Sequence, residues 1–175
     1  KFWDNINKVL SSCPNVTVGI MSTYNALSVP SYHKLVKEVY ELKKIYGSTD
    51  RAWTTPVSLD ASFLRHPFHQ TVQVLPLEFS DTVKSHSELA ADYQEVFHQN
   101  LNNSGVTYGY TDIEITKLKR IYDWMISPQD EKDLLRNRHN FYNFFNAHDK
   151  RRGTDFCKTF PEYEEFFNIC KGIRL

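Results

Sequence analysis

The sequence predicts an α/β chain in which a few mostly parallel strands are followed by a helical C-terminal extension. Three observations carry this prediction. Val16, Val18 and Ile20 alternate with Thr17, Gly19 and Met21, which is the period of a strand. An amphipathic helix of about four turns follows and leads to a second strand around Val57 to Ala61, the composition of a right-handed βαβ crossover. From Ser80 onward apolar residues recur at helical spacing almost throughout. The division falls between residues 78 and 79. Residues 1–78 form the βα-repeat portion, and 79–175 form a helical extension packed on it as a single globular unit.

Each element has its own signal. Phe2, Ile6, Val9 and Leu10 give a first helix over 2–11, broken by Pro14 and Asn15. The helix over 31–46 sets Leu35, Val39, Leu42 and Tyr46 on one face and Lys37, Glu38, Lys43 and Lys44 on the other, and Gly47 stops it. Strands are expected over 57–61 and, between Pro67 and Pro76, over 71–75. A helix over 80–100 and a turn-rich loop over 102–109 come next. Thr111 and Glu114 then form a capping box before Ile115, Leu118, Ile121 and Met125. Ser127-Pro128 starts a long helix through Phe145, and Thr159 with Glu162 reads as another capping box before a last helix closed by Gly172.

Composition bounds the function. Twenty-five aromatic residues (12 Phe, 10 Tyr, 3 Trp) exclude a disordered chain and predict a core of large rings. Twenty-one Lys+Arg against 21 Asp+Glu lack the basic excess of a dedicated nucleic-acid binder. No apolar run approaches the ~20 residues that span a bilayer, and the N-terminus lacks a signal-peptide pattern. Cys13, Cys157 and Cys170 are odd in number and far apart, which points to a reducing, cytoplasmic compartment. The sequons at Asn15 and Asn102 are then chance matches. Lys rather than Met stands at position 1, as expected of a processed chain or a piece of a longer one.

No phosphate loop, G-x-S-x-G elbow or H-E-x-x-H is present. His66 and His69 flank Pro67-Phe68 without a third ligand, so no metal is assigned. His33, His86, His98 and His139 fall inside helices with no nucleophile at a readable spacing. Cys157 and Cys170 are two thiols where an iron–sulfur cluster takes four. Between Lys132 and Arg152 six basic residues face two acids, interleaved with Phe141, Tyr142, Phe144 and Phe145. Lys150, Arg151 and Arg152 close that stretch at a helix end, where cations complement the helix dipole; they are the candidate anion-binding residues. In parallel α/β sheets ligands gather at the carboxyl ends of strands. Here those are Ser22, Thr23 and Asn25 after the first strand, and Asp60, Ser62 and Arg65 after the second.

Two phrases resemble a known family. Phe2-Trp3-Asp4-Asn5-Ile6-Asn7-Lys8-Val9-Leu10 with Asn15-Val16-Thr17-Val18-Gly19-Ile20-Met21-Ser22-Thr23-Tyr24-Asn25 is similar to the later barrel repeats of radical SAM enzymes. The stretch from Tyr122-Asp123-Trp124-Met125 through His148-Asp149-Lys150-Arg151-Arg152-Gly153-Thr154 to Thr159-Phe160-Pro161-Glu162 resembles their twitch-type C-terminal extension. The resemblance implies a partial (β/α) barrel-like set of strands and the substrate-side, C-terminal part of such an enzyme, with Asn25, Asp60 and Arg65 lining the cavity mouth. The family's C-x-x-x-C-x-x-C loop is not in this sequence. The cluster and S-adenosylmethionine are therefore implied only for a longer parent, whose substrate is a small molecule or peptide, and this chain alone is not competent for S-adenosylmethionine cleavage. An unpaired first strand would favour a homodimer. The alternative is a non-catalytic interaction or nucleic-acid-binding domain that uses the basic segment 148–153.

Overall fold

A computed structural model describes residues 1–13, 15–47, 56–104 and 108–175, and of 95–104 the backbone alone. Pro14, expected as a helix breaker, lies outside the described residues, as do the side chains of His98 and Asn102. The chain runs α1 (Phe2–Ser12), β1 (Val18–Tyr24), α2 (Tyr32–Tyr46), β2 (Val57–Phe63), α3 (Ser80–Ser104), α4 (Asp112–Met125), α5 (Glu131–Arg152), α6 (Phe156–Thr159) and α7 (Glu164–Gly172). It is a mixed α/β fold dominated by helices. Among the described residues no helix is long and apolar enough to cross a membrane.

The sheet has two strands among the described residues, β1 and β2, which run parallel with Val18 opposite Val57 and Tyr24 opposite Phe63. Alternation gives its two faces opposite characters. Ile20, Tyr24, Val57, Leu59 and Ala61 are buried on one face. The other carries Gly19, Met21 and Thr23 beside Ser58, Asp60 and Ser62; it is small and polar apart from Met21, which is 83% exposed. β1 has no strand beyond its outer edge among the described residues.

Several sequence expectations are corrected. The expected third strand over 71–75 is a 3-10 turn, Val72–Val74. Its backbone closes locally, with Val74 N–H donating to Thr71 O and Leu75 N–H to Val72 O. Val72 and Val74 are buried nonetheless, so the apolar run reported burial rather than backbone shape. A third barrel strand is thereby removed. β1 starts two residues later than expected and reaches Tyr24, and β2 extends to Phe63. α3 runs on to Ser104, into the segment expected to be a loop. α5 begins not at Pro128 but at Glu131, where Asp130 accepts from Asp133 N–H, and it continues past Phe145 to Arg152. Gly153 ends it in the left-handed region (φ 65°), which glycine adopts without strain. Thr159 caps nothing: it ends α6, whose cap is Asp155, and its hydroxyl donates to Asp155 O.

The capping box of α4 forms as expected, and Glu114 does more than close it. Glu114 Oε1 accepts from Leu59 N–H at 2.7 Å, on the edge of β2 away from β1. Glu114 Oε2 accepts from Thr111 N–H and Oγ1, and Lys43 Nζ lies 2.9–3.0 Å from the carboxylate. Lys43 is fully buried, with its ammonium 5.0 Å from the centre of the Tyr110 ring. Burial lowers its pKa, opposed by the Glu114 charge. Beneath β1, Tyr24 Oη lies 3.0 Å from Nδ1 of His86, a buried residue of α3. Burial first, then the charge of His33, lowers the His86 pKa to about 4.

Two outcomes follow from these buried groups. Glu114→Ala strands the Lys43 charge and the Leu59 N–H in the interior, and should cost about 3–5 kcal/mol in urea unfolding; a loss under about 1 kcal/mol would remove Glu114 from this role. His86 is neutral when folded but takes up a proton below its unfolded pKa of about 6.5. Stability present above pH 6.5 should therefore fall as pH drops towards 4, by about 3 kcal/mol at most. His86→Gln should flatten that slope, and equal slopes would assign the acid sensitivity elsewhere.

Candidate functional site

The carboxyl ends of the two strands open into separate cavities, and the expected site residues divide between them. Asp60 and Arg65 come together; Asn25 does not join them. Asp60 and Ser62 project from the open face of β2, and Arg65 follows directly after the strand. With Phe63, Lys117 and Arg120 they line a cavity of about 220 Å³.

Lys117 and Arg120 come from α4. Glu114, Lys117 and Arg120 follow one another at three-residue spacing, so they share a helix face. Once Glu114 is docked on the β2 edge, the next turns of that face lie over the end of the strand. Lys117 Nζ reaches Asp60 Oδ1 at 2.7 Å. The Arg65 guanidinium carbon sits 5.1 Å from the Phe63 ring centre and 5.9 Å from that of Trp124. Stacking of this kind restrains a guanidinium while leaving its N–H edge free to donate. Three cations against one carboxylate give the cavity a surplus of two positive charges. Such a site suits a carboxylate or phosphate group, which a planar guanidinium binds in bidentate fashion. Lys117 and Arg120 were missed in the sequence; their signal was the three-residue spacing from Glu114, which looks like an ordinary wet helix face until the position of α4 is known.

Asn25 caps the 3-10 turn Ala26–Ser28. Its Oδ1 accepts from Leu27 N–H at 2.9 Å, and its own N–H donates to Ser28 Oγ. It lines a second cavity, of about 280 Å³, with α5 as the opposite wall. Ser22 is half-buried and Thr23 is exposed, and neither lines either cavity.

Lys150, Arg151 and Arg152 are exposed on the last turn of α5, among its C-terminal carbonyls. The phrase around them has a structural logic of its own. Asp149 accepts from Thr154 Oγ1 and Phe156 N–H, both at 2.7 Å, and so locks the chain reversal at Gly153. His66 and His69 turn to different rings, Phe68 and Phe144, and burial lowers the His69 pKa. His139 Nδ1 lies 3.1 Å from Ile173 O, and His33 stacks on His86.

Among the described residues no three His, Cys, Asp or Glu side chains are placed to hold a metal ion. The three cysteines are free, and burial pushes the Cys170 thiol up to about 12. An iron–sulfur cluster takes about four thiolate ligands, and the chain has three cysteines, of which Cys170 is buried.

Comparison of the chain with protein-family models, with curated proteins and with solved structures finds no match in any of the three.

Proposed function

We propose that this chain is the substrate-side, C-terminal part of a radical SAM-like enzyme, and that it holds an anionic group of the substrate at the carboxyl end of β2. The observation that carries the reading is the cation-lined cavity of Asp60, Arg65, Lys117 and Arg120 at that strand end. Arg65 and Arg120 bind the anion, while Lys117, paired with Asp60, sets the local charge. The uncovered polar face of the sheet supports the same reading: Gly19, Thr23, Ser58, Asp60 and Ser62 suit the wall of a partial-barrel lumen better than a core. The outer edge of β1 is where a preceding strand, or a second copy of the chain, would pair. The cluster and S-adenosylmethionine belong to a loop outside these residues, and the free cysteines suit a reducing, cytoplasmic setting.

Two measurements test this. Titration with inorganic phosphate and with acetate should show saturable, salt-sensitive binding, weakened about tenfold or more by Arg65→Ala and by Arg120→Ala. Asp60→Asn should tighten it. Because the Asp60–Lys117 pair is more than a third exposed, that substitution should change stability by less than about 1 kcal/mol. Binding indifferent to all three substitutions would sink the anion site. For the family assignment, the chain expressed with its upstream coding sequence and reconstituted anaerobically should show iron–sulfur absorbance and cleave S-adenosylmethionine. Upstream sequence without a three-cysteine loop would overturn it.

A further inference from the structure

We infer that the second cavity, between the end of β1 and α5, is a binding site for a compact bicyclic aromatic ring carrying one or two polar atoms. This goes beyond the anion site and does not depend on it. Phe141, Phe144 and Phe145 form the α5 wall, and Ala26 and Leu27 the wall opposite. Asn25, Gln70 and His148 supply the polar groups of the lining.

Size narrows the occupant. The cavity measures about 280 Å³, whereas an apolar cavity of roughly 150 Å³ holds one benzene. Nearly twice that volume suits two fused rings. The walls favour an aromatic occupant over an aliphatic one. Phe141 and Phe145 are tilted at 60° with centres 4.7 Å apart, and Phe144 stands at 90° to Phe145. Phe144 and Phe145, the two rings with surface exposed, stand at right angles and so offer a face and an edge, with which a further ring gains edge-to-face contact, while buried Phe141 backs them.

The polar complement is small: two side-chain amides and one imidazole. Asn25 Oδ1 is oriented by accepting from Leu27 N–H, which leaves its two amide N–H donors for a ligand or water. Gln70 can donate or accept. His148 Nδ1 lies 3.4 Å from Thr154 Oγ1, leaving Nε2 as the ring nitrogen for a ligand. The Gln70 amide oxygen or His148 Nε2 can accept from one indole N–H, and the Asn25 amide can keep its water; a nucleobase brings more polar atoms than this lining can satisfy, and burying the remainder would be unfavourable.

The walls are also held in place. Phe141 is fully buried against Phe156 and Phe166, and Ala26 O accepts from Tyr163 Oη at 2.5 Å. A pre-formed site loses little affinity to ordering on binding.

The test uses indole as the probe, with cyclohexanol as the aliphatic control, followed by NMR of the side-chain amides and the His148 ring. Saturable shifts at Gln70 and His148 with indole, at least about tenfold weaker with cyclohexanol, are expected. Phe144 is 44% exposed, so Phe144→Ala should keep the fold while weakening indole about tenfold. Leu27→Trp, which fills the cavity from the opposite wall, should abolish the shifts. Indole shifts that persist in Leu27→Trp, equal response to cyclohexanol, or no saturable binding to the parent chain would each overturn the assignment.

Discussion

The Lys43–Glu114 pair at the edge of β2 is the contact on which the rest of this arrangement depends. A parallel pair of strands is a poor structure alone, because both outer edges present unpaired backbone groups. Here one of those edges is closed by a side chain instead of a strand: Glu114 takes the Leu59 N–H. A lone buried carboxylate would be very costly, and so would a lone buried ammonium. Each is tolerated because the other is present, with the Thr111 cap and the Tyr110 ring completing the surroundings. Tyr110 is in turn fixed by donating its hydroxyl hydrogen to Val36 O on α2. One ionic contact thus joins α2, β2 and α4.

The site is a consequence of that docking. Had α4 packed through another face, Lys117 and Arg120 would point to solvent, and Asp60 would lack its partner. The positive charge near Arg65 is produced by helix register, which was itself chosen by a structural ion pair one turn earlier. The structural ion pair and two cations of the cavity therefore share a single helix face.

The C-terminal helices pack on one another through aromatic rings. Phe141 packs against Phe156, Phe166 and Phe145, and Phe156 stacks on Phe167, so α5, α6 and α7 form one ring-rich core. Tyr163 carries that core to the carboxyl end of β1 by donating to Ala26 O, and Arg138 of α5 donates to Val74 O and Leu75 O. The helical extension is thereby seated over the strand ends, where parallel sheets place their ligands. It supplies the far wall of a cavity that the strands could not enclose.

Much of the fold was legible in residue order, because it rests on local physics. The alternation that formed β1 and β2, the amphipathic face of α2 and the Thr111–Glu114 box are interactions within a few residues. Arg65 follows the end of β2 as those patterns place it, whereas Asp60, expected after the strand, lies in its middle, because β2 runs on to Phe63. What failed was read from short signals with two meanings. Val72 and Val74 had to be buried, and a 3-10 turn buries them as well as a strand does; Thr159 and Glu162 had the spacing of a cap without a helix to cap. The tertiary structure alone decided that Lys43, written on the wet side of α2, is fully buried, and that Lys117 and Arg120 belong to the site. The reason is physical: the sign and spacing of a charge are local, but its partner is found only when distant elements dock, 71 residues apart for Lys43 and Glu114 and 57 for Asp60 and Lys117.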